Sequence, residues 1–125
     1  MSPELPSQRK SAMSSLSVEW TALQDAAAAV AAMANLAPER PSPEIRNFPA
    51  IIRDIGGVRL KLAQQAIADM GAMMRPGVQA LLAVRARGQD ATAPALTLWR
   101  EFHHARAAVL AMVPAAGTMG HMRRA

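Results

Sequence analysis

The sequence predicts an all-α fold, an antiparallel helical bundle of three to four helices, and three observations carry that prediction. From Phe48 to Arg87 the apolar residues recur at helical spacing in two adjoining series: Phe48, Ile51, Ile55, Val58, Leu62, and Ile52, Leu60, Ala63, Ile67, Met70, Met74. The segments on either side carry helical apolar lines of their own. Strand-like alternation is absent at any useful length. Two adjoining stripes make a face wider than one seam, so flanking helices have to cover the central segment from more than one side.

Length and composition bound the rest. A chain of 125 residues is one domain and long enough to bury a core without staples. With no cysteine, disulfides and thiolate metal sites are excluded. Aromatic residues make up 3% while methionine reaches nine, so the core is built from small and flexible side chains. The net charge of +5 comes almost wholly from arginine. That side chain favours carboxylate and phosphate partners, but here it is spread along the chain rather than clustered as nucleic-acid binding requires. The Ala, Arg, Gly and Pro bias matches what a GC-rich bacterial genome imposes on composition. The longest apolar run, Ala26 to Ala34, is far short of a membrane span, and Arg9 and Lys10 are followed by serines rather than an apolar leader core. The expectation is a soluble cytoplasmic protein.

The elements follow in order. Residues 1–15, with two prolines and several serines, read as a flexible N-terminal tail, and 16–113 as a single helical-bundle domain. The first helix is expected to start at Ser15 or Ser17, with Glu19 in its first turn and a spine of Leu16, Trp20, Leu23, Ala27, Val30 and Ala34. Asn35 ends it. Three prolines between positions 38 and 43 make residues 37–47 a linker, and Asn47 is the expected N-cap of the next helix, with Pro49 in its first turn.

In the central segment Gly56 and Gly57 mean either a helix break or the close approach of another backbone, and the apolar series continuing on both sides favours close approach. Pro76 kinks or breaks the helix. Unbroken, residues 48–87 would span about 60 Å and leave apolar surface bare, so packing favours the break. Gly88 is a C-cap, Asp90 or Thr92 opens the last helix, and Pro94 lies in its first turn. Leu98, Phe102, Ala105, Val109 and Met112 form one apolar line there, and Leu96, Trp99, Leu110 and Val113 a second. Pro114 ends that helix. Residues 114–125 read as a flexible basic tail.

Few residues point to chemistry. Glu101 and His104, at i and i+3, leave one helix face as the carboxylate–imidazole pairs of di-iron bundles do, though only one such pair is present and a symmetric dimer would have to supply the second. Thr97 and Arg100 share that face, which also fits plain solvated surface. His103, between Trp99 and Arg106, marks a possible ligand pocket with Trp99 or a boundary residue making one hydrogen bond. Arg85, Arg87, Arg123 and Arg124 can form a basic patch if the tail folds back, but aromatic residues for base stacking are missing. Met70, Met73 and Met74 read as core ahead of an adaptable binding surface.

Catalytic residues, a phosphate loop and a cofactor requirement are not found: Gly56-Gly57 lacks both the following Lys and the preceding strand. The expected role is a small non-catalytic interaction or regulatory protein acting through protein–protein contacts, with self-association as a homodimer. The alternatives are a metal- or small-ligand-binding bundle using Glu101, His103 and His104, and an amphipathic surface-coating protein.

Overall fold

The computed structural model describes residues 4–114, with residues 4–14 in backbone alone. Four helices pack together: α1 (Glu4–Met33), α2 (Pro43–Ile55), α3 (Gly57–Ala86) and α4 (Thr92–Leu110). No strand occurs among the described residues. The predicted all-α bundle is what forms.

The six spine residues expected in α1 are all buried. Its helical backbone begins eleven positions before Ser15, at Glu4. Pro6 falls in the first turn, where a missing N–H costs nothing, and no breaker follows it. At the other end Asn35 takes φ 61°, and the Leu36 N–H reaches back to the Ala31 carbonyl at 2.9 Å. This is a left-handed cap with asparagine in the place glycine usually takes.

The linker is shorter than expected, because α2 starts at Pro43 rather than after Asn47. Ser42 is its N-cap, accepting from the Ile45 N–H at 3.3 Å, with Pro43 and Glu44 in the first turn. Pro49 therefore lies inside the helix and is buried. Having no N–H, it leaves the Ile45 carbonyl, four residues earlier, without its helical donor. The Trp20 indole fills that place, Nε1 donating to the Ile45 oxygen at 2.7 Å, and its ring lies 4.6 Å from that of Phe48. One proline thus fixes where α2 docks on α1.

The Gly56-Gly57 pair of the central segment behaves oppositely to the sequence reading. The chain breaks at Gly56 and Gly57, where φ is 64° and 62°. Side chains rarely adopt that backbone, and a Cβ on Gly57 would meet nothing, so conformation rather than close approach explains the pair. At Gly77 the reverse holds: a Cβ there would come within 2.7 Å of Leu98 Cδ2, so α3 and α4 touch across the missing side chain.

Pro76 does not end α3, which runs unbroken from Gly57 to Ala86. The carbonyl it deprives is that of Ala72, and both residues lie on the exposed side, where the lost donor costs least because the carbonyl is open to solvent. With the turn at Gly56, only one of the two apolar series stays inside along α3. Ala63, Ile67, Met70, Met74 and Leu81 are buried, whereas Val58 and Leu62 are 70% and 53% exposed.

Helix directions follow from the contacts. Asn35 bonds Thr92 and Gln24 bonds Arg106, so α4 runs antiparallel to α1. Residues 18–26 of α1 lie along residues 67–79 of α3, and Met33 lies near Arg85, so these two helices run the same way. Gly88, at φ 76°, closes α3, with the Gln89 N–H on the Val84 carbonyl at 3.1 Å. At the start of α4, Asp90 Oδ1 accepts from Thr92 N–H and Oγ1 at 3.0 and 2.7 Å. The Thr92 hydroxyl first, and its N–H second, hold the Asp90 carboxyl below its ordinary pKa. α4 ends at Leu110, three residues before Val113. Residues 115–125, including the basic end of the expected tail, lie outside the described residues.

Candidate functional site

The polar residues singled out on α4 do not converge. Glu101 and His104 are both exposed on α4, one turn apart. Among the described residues no group of three or more His, Asp or Glu comes together to hold a metal ion. One carboxylate and one imidazole are two ligands, and a closed site takes four. His103 is exposed too, its ring 5.8 Å from that of Trp99. A cleft of about 260 Å³ does open beside Trp99, between α1, the linker and α4, but its walls include Arg106 and not His103. Arg85 and Arg87 are exposed at the end of α3, and Arg123 and Arg124 lie outside the described residues.

Arg106 is what the sequence reading passed over. It is 3% exposed, with NH1 donating to Gln24 Oε1 and NH2 to Glu39 Oε2, each at 2.7 Å. Its guanidinium lies 5.0 Å from the Phe102 ring centroid and 5.7 Å from that of Trp99. The signal was available: position 106 continues the line Trp99, Phe102, Val109 at helical spacing, so a charge there has to be buried and paired. The pairing ties the linker to the bundle through Glu39, alongside the Asn35–Thr92 and Trp20–Ile45 bonds. This cluster is satisfied within the chain, since no buried side-chain polar atom among the described residues lacks a partner. It acts first as a fastener.

A larger concavity lies elsewhere. A groove of about 610 Å³ runs between α1 and α3, from Val18 and Ile67 at one end to Ala26 and Val78 at the other. Its floor contains Leu23 and Met74, both buried, and its walls are kept low by Ala22, Ala68 and Gly71. Small residues explain the shape: alanine and glycine leave the space between two parallel helices unfilled. Val18 stands at the rim, 63% exposed. Two charges line the groove, Glu19 on α1 and Arg75 on α3, and the Arg75 guanidinium reaches back over Gly71. The single salt bridge among the described residues is Arg106–Glu39, so neither of them is neutralised by an ion pair there.

A second apolar groove, of about 290 Å³, separates α3 from α4 around Met70, Met73, Val109 and Met112. Met70 and Met74 belong to the core, as the periodicity indicated, and Met73 lines this groove. No protein-family model, curated protein or solved structure matches the chain. No helix among the described residues is long and apolar enough to cross a membrane.

Proposed function

We propose that this chain is a non-catalytic interaction protein that works by helix–helix contact, with the groove between α1 and α3 receiving an apolar helix of another chain, in the first instance a second copy of itself. The observation that supports this is the groove. It is open along its length, apolar at its floor, walled by Ala22, Ala68 and Gly71 so that a foreign backbone can come close, and bordered by an exposed Val18. Depressions of this kind on a monomer are where partner side chains bury their area.

A catalytic reading has no comparable support, because the buried Arg106 is already paired and the polar residues of α4 stay apart in solvent. The test is sedimentation of the full chain across a micromolar series, repeated on Ala68→Glu. That exposed position takes a charge without disturbing the core, so the variant should stay folded and lose association. A wild type that stays monomeric into the high micromolar range would remove the self-associating form of this reading.

A further inference from the structure

We infer that the cleft beside Trp99 is a binding site for a small organic monocarboxylate with an apolar body, and that Glu39 is the built-in occupant such a ligand displaces from Arg106. This site is separate from the α1/α3 groove and does not depend on the role proposed for it. The first observation is the buried charge. Arg106 is the one charged side chain buried among the described residues. A buried ion pair holds a fold together no better than well-packed apolar side chains of the same size, so an arginine on the line Trp99, Phe102, Val109 is more than a fastener requires. Its guanidinium lies against the Phe102 and Trp99 rings and forms part of the cleft wall.

The second observation is how that charge is met. Arginine's planar fork suits a carboxylate that accepts two parallel N–H bonds. Glu39 accepts one, from NH2 to Oε2 at 2.7 Å, and NH1 donates to the Gln24 amide oxygen instead. Glu39 comes from the linker rather than from a helix, and its side chain is 39% exposed. Water can take over a partner so placed, whereas the buried guanidinium needs a replacement. The third observation is the space. The cleft, at about 260 Å³, is larger than the roughly 150 Å³ apolar cavity that takes benzene. Its walls are mostly apolar, with Ala28 and Ala31 on α1, Leu36, Pro38 and Pro41 on the linker, and Trp99 on α4. An aryl or branched alkyl group fits against them with its carboxylate on Arg106. Asp25 is the other acid on the lining, and like-charge repulsion there selects a single negative charge over a dianion such as phosphate.

The test is a titration of the full chain with phenylacetate, isovalerate and acetate, and with phenylacetamide as the uncharged counterpart, followed by the indole N–H signals in proton–nitrogen correlation spectra. The chain has two tryptophans, so the Trp99 signal reports the cleft, and the Trp20 signal, from an indole bonded to Ile45 and outside the cleft lining, reports the fold. The Trp99 signal is expected to shift saturably with phenylacetate, and phenylacetamide is expected to bind about tenfold more weakly. That comparison needs no variant. Glu39→Gln is expected to tighten phenylacetate by about tenfold, because the ligand then meets no competing carboxylate. Arg106→Met is expected to abolish the response with the Trp20 signal in place. A Trp99 signal that none of the three carboxylates moves in the wild type, an amide that binds as well as the acid, binding that survives Arg106→Met, or an affinity that Glu39→Gln leaves unchanged or lowers would each overturn the inference.

Discussion

Trp20 and Pro49 should be energetically coupled although they lie on different helices, and the size of the coupling follows from one carbonyl. Pro49 gives no N–H, so the Ile45 oxygen depends on Trp20 Nε1, 2.7 Å away. Trp20→Phe keeps a ring against Phe48 but removes that donor. Shrinking a side chain that is 2% exposed costs about 1 kcal/mol in lost packing. Leaving a buried carbonyl without a partner costs about 2 kcal/mol more, for a total near 3 kcal/mol. Pro49→Ala restores an N–H that can bond Ile45 along the helix. In that background the same Trp20→Phe change should cost only the packing part, about 1 kcal/mol, giving a coupling of about 2 kcal/mol across the double-mutant cycle. Urea unfolding followed by far-ultraviolet circular dichroism measures it, provided m is unchanged among the four proteins. If Trp20→Phe costs the same in both backgrounds to within about 0.5 kcal/mol, the carbonyl does not need the indole and the reasoning fails.

The Arg106–Glu39 pair should respond asymmetrically, because the guanidinium side chain is 4% exposed and the carboxylate side chain 39%. Glu39→Ala strands a buried charge and should cost about 2 kcal/mol, whereas Arg106→Met leaves a carboxylate that water solvates and should cost less than about 1 kcal/mol; thermal midpoints ranked the other way would contradict this. Gly56→Ala forces a side chain into φ 64° and ψ −161° and should lower stability by about 2 kcal/mol. Gly77→Ala should change it by under about 1 kcal/mol, since helix propensity gained offsets a shift of the flexible Leu98 tip; equal losses at the two glycines would remove the distinction between them.

The Asp90 carboxyl is held below its usual pKa in the folded state, so its contribution is present above the unfolded value of 3.8 and is lost as pH falls through the lower folded one. Asp90→Asn should therefore flatten the acid limb of a melting-temperature profile below about pH 4 while leaving its slope near neutrality unchanged. An unaltered acid limb would mean that the Thr92 bonds do not hold the charged form.

The parts of the fold that spacing alone determines were legible, and those that depend on what stands opposite were not. The six spine positions of the first helix could be read from steps of three and four, because a single amphipathic helix names its own buried face, and of the buried residues there only Ala31 was left off the spine. Asn35 could be read as a terminator for a local reason, its tolerance of positive φ. Gly56, Gly57, Pro76 and Gly77 could not be assigned that way. Two helices joined at a tight glycine turn keep their apolar residues nearly in phase for a few positions, so continuity of the pattern does not prove continuity of the helix. At Pro76 the deciding fact is that Ala72 faces water, opposite the buried Met70 and Met74, so the helix meets the proline on the side where its cost is smallest.

The same distinction explains the sites. Arg106 could have been found from its place on a buried line, but its partners Gln24 and Glu39 are 82 and 67 positions away. The α1/α3 groove is a shape made by what Ala22, Ala68 and Gly71 lack, and absence of volume is invisible until two helices are set side by side. The alanine-rich stretch of α1 already marked a surface that another helix could approach closely. Only the bundle shows that Arg75, 56 positions from Glu19 in the sequence, forms the opposite wall. The groove itself depends on the parallel course of α1 and α3. Had the chain turned at Pro76 instead of Gly56, the segment carrying Arg75 would not have run its full length beside α1, and the two walls would not have met.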